Sequence, residues 1–293
     1  MKVAIIGGSA AGHAVATNLR KKSKDISITL ISDEAFPFYD RRRLLDFWRG
    51  TAREKELFGA GSDTYAAAGI TFLKESKAVS VNPTRRTVSI KQDEKRSSID
   101  YDVLVVATGT KTPLPDIPGI AKTGVFCFDG LADFKELKST VTADAVCLIG
   151  TNRYTDGVIA VLSEKNVEVK LVVAEPPAPE RQFPQNVEVL VTEIVDIIGE
   201  SGVQAIKLTE GKIIGVSWVG VMHEPVPQTD FLKDTGADMR DGALVVDESM
   251  RTSLQDVYAC GSVCTKAEDA PGQKTRDDIT AESETIVKAI VTA

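Results

Sequence analysis

Small residues follow one another at Gly7, Gly8, Ser9, Ala10, Ala11 and Gly12, directly after the apolar run KVAII. Such residues leave backbone N–H groups bare, which is what a phosphate asks of a loop. In a nucleotide-binding turn the first glycine permits the bend and the second lets the backbone approach a diphosphate. The third lets the helix pack closely on the strand. Gly7 and Gly12 take the first and third places and Ser9 the second, where its side chain is small enough for close approach. The segment AAGHAVATNLRKK then reads as a helix, whose N-terminus offers free N–H groups and a positive dipole end. One strand further, ISITLISDE ends in Asp33 and Glu34, carboxylates placed to accept hydrogen bonds from ribose hydroxyls. Strand, glycine loop, helix, strand and acid in that order point to a dinucleotide.

The same order returns at ADAVCLIGTN, TDGVIAVLSEKN and VEVKLVVAE, which indicates a duplicated nucleotide-binding module. Here the loop IGTNRYTDG keeps Gly150 but places Asn152 and Thr155 where glycines are expected. Asn152 brings a side chain to where a diphosphate needs bare backbone, and Thr155 is β-branched where helix and strand pack closest. The strand ends in Val173-Ala174-Glu175, so the ribose-binding acid is absent or displaced, and Arg153 is the one arginine at hand for a 2′-phosphate. These residues favour a surviving scaffold that has lost its ligand over an intact nucleotide site.

The elements that must hold these loops form an α/β chain of two Rossmann-like domains, the second inserted in the first. GITFLKESKAVSVNPTRRTVSIKQDE reads as a β-meander and YDVLVVATGT as a buried strand, and LPDIPG marks a crossing between domains. A second meander covers NVEVLVTEIVDIIGESGVQAIKLTEGKIIGVSWVGV. DGALVVDESMRTSLQDVYACGSV returns to strand character, and ITAESETIVKAIVTA closes the chain as an amphipathic helix.

With 293 residues, 43% hydrophobic and 26% charged, the composition is that of a globular protein with room for two cores. A net charge of −7 argues against nucleic acid or an anionic membrane as partner. No apolar run reaches the roughly 18 residues of a membrane span. Met1 leads straight into a strand with no basic region before it, so the expected location is the cytoplasm. Cys127, Cys147, Cys260 and Cys264 form no C-x-x-C pair, and with His13 and His223 as the only histidines no metal centre is expected.

Four stretches together resemble the two-dinucleotide-domain flavoproteins of the pyridine nucleotide-disulfide oxidoreductase superfamily, in particular the rubredoxin and ferredoxin reductase branch. They are VAIIGGSAAG, ITLISDEAFPFYDRRRL, VLVVATGTKTPLPDIPG and VVDESMRTSLQDVYACGSV, and the resemblance runs over essentially the whole chain. It implies two domains of three-layer ββα build. Residues 1–112 plus 241–293 would bind FAD, and residues 113–240 would be NAD(P)-binding-like with a degenerate loop. Gly7, Gly8, Ser9, Ala10, Ala11 and Gly12 would contact the FAD diphosphate, and Asp33 or Glu34 the adenosine ribose. Arg41 would lie near the phosphates and Ala78 would meet the adenine through its backbone. Ala107, Thr108 and Gly109 would lie beside the flavin, and Gly261 and Ser262 would reach the ribityl–phosphate chain.

Departures from the family pattern carry information of their own. Asp46 stands where ferredoxin reductases have a lysine near flavin N5, as in the rubredoxin reductase type. No redox cysteine follows the second strand and no C-x-x-C occurs in the second domain, so thiol–disulfide exchange lacks its nucleophile. Ser262 replaces the aspartate of the T-x5-hYAxGD element, which removes one charge-assisted bond. Gly157 stands where the family has an acid. Cys260 and Cys264 read as small hydrophobes rather than a redox pair, and Phe47, Trp48 and Trp218 as core. The chain stops at Ala293, as the last flavin-contacting helix ends, so the family's third domain would be missing, which implies either a thioredoxin-reductase-like build or a partner that covers the flavin.

No catalytic side chain stands out. The leading expectation is an FAD-dependent oxidoreductase passing electrons between NAD(P)H and a rubredoxin- or ferredoxin-like protein or other acceptor. One alternative is an FAD-holding electron-transfer subunit with a lost NAD(P)H site and an iron–sulfur partner. Another is a ligand-free interaction scaffold.

Overall fold

A computed structural model describes residues 1–59, 62–139 and 144–292. The chain separates into two compact units. One comprises Met1–Asp40, Phe58–Lys111 and Pro227–Ala293, and the other Arg41–Leu57 and Thr112–Val226.

The first unit is organised on a five-stranded parallel sheet. Across the sheet the order is Val257–Ala259, Val103–Val106, Lys2–Ile6, Ser27–Ile31 and Ile70–Leu73. Lys2–Ile6, which carries the glycine loop, is therefore the central strand. Its residues Val3 to Ile6 are buried, as expected of a strand covered on both faces. The helix Ala10–Lys22 buries Ala11, Val15, Ala16 and Leu19 on one side and packs against the C-terminal helix Arg276–Thr292. The antiparallel strands Lys77–Asn82, Thr87–Gln92 and Lys95–Asp100 form a separate three-stranded sheet. Val81, Val88 and Ile90 join its inner face to the same hydrophobic core as Val3, Leu30 and Leu104. Burying a valine or isoleucine of this kind stabilises by roughly 1.5–3 kcal/mol.

The second unit repeats the plan. Its parallel sheet runs Val187–Val191, Glu168–Val173, Ala145–Ile149, Val219–Val221 and Val125–Phe126, with Ala145–Ile149 central. The helix Thr155–Glu164 follows that central strand, and an antiparallel trio Ile194–Ile198, Ala205–Leu208 and Ile213–Gly215 closes a core around Ile197 and Ile206. The short helix Leu44–Arg49 belongs here too. Its Trp48 lies within 6.0–6.3 Å of the rings of Phe128, Phe134 and Trp218. Phe47, Trp48 and Trp218 are thus core residues of this unit.

Three details differ from the sequence reading. Ile70–Leu73 and Val187–Val191 are parallel edge strands of the main sheets rather than the first strands of meanders. Both are short apolar runs, and periodicity alone cannot say which sheet such a run will join. The contacts also draw the units at other limits than 112/113 and 240/241, because residues 41–57 pack with the second and 227–240 with the first.

Candidate dinucleotide site

The loop after the first strand is shaped by exclusion. Gly7 has φ +114°, and a Cβ there would stand 2.1 Å from the carbonyl oxygen of Ala107. A Cβ on Gly12 would stand 1.8 Å from the carbonyl oxygen of Gly7. Gly8 is confined by Ser32, whose Cβ and Oγ would both lie 2.8 Å from an added carbon. Gly7 N donates to the Ile31 carbonyl at 2.8 Å, and Ala107 N to the Ile6 carbonyl at 2.7 Å. Both bonds extend the strand ladders past their ends and draw Ala107 against the loop.

Ser9 caps the helix Ala10–Lys22, yet its hydroxyl makes no capping bond and the first turn contains no acid. The first amides of a helix have no partner within it. Here no side chain of the helix's own start competes for them, and Arg20, Lys21 and Lys22 complement the dipole at the other end. This arrangement fits a diphosphate. Asp33, one strand along, is exposed and makes no hydrogen bond or ion pair among the described residues. The Glu34 carboxylate, by contrast, accepts a bond from the Tyr39 hydroxyl at 2.7 Å.

The first unit contains the remaining sequence-picked residues except one. The hydroxyl of Thr108 donates to the Gln228 carbonyl at 2.7 Å, and Gln228 N donates to the Gly109 carbonyl at 2.9 Å, which fixes the segment after Ala107. Gly261 has φ +79°, and a Cβ on it would lie 3.0 Å from Ala11 Cβ, so this turn packs directly on the helix start. Ala78 sits where the pairing with Thr87–Gln92 shifts register, a bulge that re-aims the backbone. The exception is Arg41, which belongs to the second unit and donates to the carbonyl of Asp129. Asp46, also in that unit, pairs with Arg49 at 3.6 Å.

His13 packs among aromatic rings. Its ring stacks on Phe38 at 4.4 Å and its Nδ1 lies 2.7 Å from the Tyr65 hydroxyl. Burial, helped by Lys21, lowers its pKa to about 4, so it stays neutral at pH 7, and burial pushes the Tyr65 hydroxyl up to about 12. Burial also raises the thiol of Cys264 to about 12 and that of Cys260 well above the ordinary range. Both cysteines are free and buried, which suits small hydrophobes and not nucleophiles. Among the described residues no group of three or more His, Cys, Asp or Glu side chains could hold a metal ion.

The second loop is built differently. Asn152 Oδ1 accepts the Tyr154 N–H at 2.9 Å, and the buried Thr155 hydroxyl accepts the Asn152 N–H at 2.8 Å. Asn152 Nδ2 donates to the His223 carbonyl at 3.0 Å and ties the loop to the next strand's end. The first turn of Thr155–Glu164 contains Asp156, which Arg181 pairs at 2.6 Å. Two amides of this loop, those of Asn152 and Tyr154, are thus engaged by its own side chains, and a carboxylate stands at the helix start. Those bonds must change partners before the loop can take a diphosphate.

Two Rossmann-like units, one with an open nucleotide loop and the other with a self-bonded copy, define a two-dinucleotide-fold protein. The chain belongs to the pyridine nucleotide-disulphide oxidoreductase family, whose sequence profile matches residues 1–290. It is 23% identical over 295 residues to an NADH oxidase of Methanocaldococcus jannaschii, covering 94% of this chain and 66% of that protein. It is 26% identical over 266 residues to the NADH-rubredoxin oxidoreductase of Clostridium acetobutylicum, covering 89% and 68%. The NAD-dependent persulfide reductase from A. fulgidus superposes with a TM-score of 0.85 at 23% identity, over 100% of this chain and 60% of that one. The chain therefore spans about two thirds of the length of these curated relatives. No helix among the described residues is long and apolar enough to cross a membrane.

Proposed function

We propose that the chain is an FAD-dependent oxidoreductase that passes electrons between NAD(P)H and a small redox protein or another acceptor. The observation that carries the flavin is the first loop, where Gly7 and Gly12 exclude any side chain and the helix start is left uncapped. In this reading the first unit is the FAD-binding domain. The amides of Gly8 to Gly12 hold the diphosphate and Asp33 the adenosine ribose, with Glu34 beside it. Ala78 lies at the adenine, and Ala107 to Gly109 with Gly261 and Ser262 border the flavin and its ribityl chain. Arg41 is assigned to the phosphates on the family motif alone.

FAD, when bound, supplies the ring that accepts and releases electrons. The chain's own residues bind and orient it. The family and the NADH oxidase and NADH-rubredoxin oxidoreductase names of its relatives support NAD(P)H as donor and a rubredoxin- or ferredoxin-like partner. Four cysteines outside any disulfide fit a reducing compartment, and we place the protein in the cytoplasm.

A second reading is favoured by the Asn152–Thr155 network. In it the chain holds FAD but draws electrons from an iron–sulfur partner, because the second loop no longer receives a diphosphate. Absorption spectra of the purified protein, taken anaerobically before and after NADH and then NADPH, separate the two. Bleaching of the flavin bands supports the first reading and yellow protein that neither donor bleaches supports the second. Colourless protein that cannot be reconstituted with FAD refutes both.

A further inference from the structure

The turn Cys260-Gly261-Ser262 carries no carboxylate, yet a carboxylate lies on it. Glu282, on the helix Arg276–Thr292, projects back so that its Oε2 accepts the Gly261 N–H at 2.7 Å. Its Oε1 lies 3.4 Å from Lys274 Nζ, and both side chains are largely buried, with 13% and 23% exposed. Lys274 N in turn donates to Ser262 Oγ at 3.1 Å. The turn, the segment before the helix and the helix itself are thus closed into one ring of bonds, and the turn in that ring packs against Ala11 in the first turn of the loop helix.

A carboxylate this buried is costly unless paired and hydrogen-bonded, and here it is both. We infer that Glu282 is a positioning residue of the flavin site, supplying from the C-terminal helix the negative charge that the Gly261–Ser262 turn lacks. Through Gly261 it holds the turn against Ala11, and through Lys274 it orients the Ser262 hydroxyl. This inference rests on the reading that the first unit binds FAD.

Three variants test it, with two readouts. Glu282→Ala removes the carboxylate, Glu282→Gln keeps an acceptor for Gly261 without the charge, and Ser262→Asp places a carboxylate on the turn itself. The first readout is FAD affinity, from fluorescence titration of the apoprotein. Losing a hydrogen bond to a charged group weakens binding by about tenfold or more, and that loss is expected for Glu282→Ala. Ser262→Asp alone is expected to weaken binding, because two carboxylates then crowd one turn. In the Glu282→Ala background the same substitution is expected to restore it to within about threefold, a coupling that independent sites do not show.

The second readout needs no FAD. Cys260 and Cys264 flank the turn and are buried, so their rate of thiol labelling in the apoprotein reports its closure. Labelling is expected to quicken by about tenfold or more in Glu282→Ala, as local opening becomes easier, and to slow again in the double variant. Should Glu282→Ala not fold, Glu282→Gln is expected to show a smaller change in the same direction. The inference is overturned if the Glu282 variants keep wild-type labelling, or if Ser262→Asp adds to Glu282→Ala instead of rescuing it. A wild-type protein that takes up no FAD overturns the flavin reading, while the labelling still decides the role of Glu282 in the turn.

Discussion

Gly12→Ala is the sharpest probe of the first loop. The added carbon would sit 1.8 Å from the Gly7 carbonyl oxygen, whereas a real Cβ rarely comes within 3.0 Å. The helix start and the loop must therefore part by more than an ångström. Overpacking of this kind costs roughly 1–3 kcal/mol. Alanine inside a helix returns about 0.5–1 kcal/mol through propensity, so the clash wins. A net loss of about 1–2 kcal/mol lowers the melting temperature by roughly 2–8 °C in a chain of this size. The larger effect falls on FAD, because the amides that move are those that face the diphosphate. Misplacing one or two bonds to a charged group, at about 1.5–3 kcal/mol each, weakens binding by roughly tenfold to well over a hundredfold. Titration of the apoprotein with FAD measures this directly, with Gly157→Ala as control. In that position the new carbon meets only Leu45 Cδ1, at 2.7 Å, the end of a flexible side chain. If Gly12→Ala binds FAD within about twofold of wild type while melting unchanged, the account of the loop is wrong.

Other outcomes follow from the same geometry. Asp33→Ala removes an exposed carboxylate with no partner among the described residues, so stability should stay within about 0.5 kcal/mol in urea unfolding; FAD affinity should fall by about tenfold. His13 has a folded pKa of about 4 against 6.5 unfolded, so between those values the unfolded chain binds more protons. Stability is therefore fully present above pH 6.5 and falls as pH drops toward 4, by about 1–2 kcal/mol once the partial exposure is discounted. Urea midpoints at pH 7 and 4.5 check this, and His13→Phe should flatten that part of the profile. Thiol labelling of the native protein at pH 8 should reach half-buried Cys127 first, with Cys147, Cys260 and Cys264 following far more slowly through local opening.

The glycine loop and the helix after it were legible because the constraint is local. Gly7 and Gly12 must be bare wherever the rest of the chain lies, and the helix Ala10–Lys22 coincides with the segment read for it. Asn152 and Thr155 were legible as intruders for the same reason. Sheet membership was not, since Ile70–Leu73 and Val187–Val191 look like any short apolar run until their parallel partners are known. Glu282 left no trace in the motif, because it stands 21 residues from the amide it engages. Arg41 shows the limit from the other side, since a motif can name a residue without saying which core holds its segment.

Neither compact unit is encoded by one uninterrupted stretch, and this has a consequence for synthesis. By Val226 every segment of the second unit has been made, so it can fold while the ribosome is still working. The first unit at that moment lacks the edge strand Val257–Ala259 and the helix that covers Ala10–Lys22. The nucleotide loop meets Ile31, Ser32 and Ala107 early, but the Gly261 turn that packs on Ala11 comes only near the end. A nascent chain stalled short of its end would present one finished half and one open apolar sheet, the form that chaperones are built to catch.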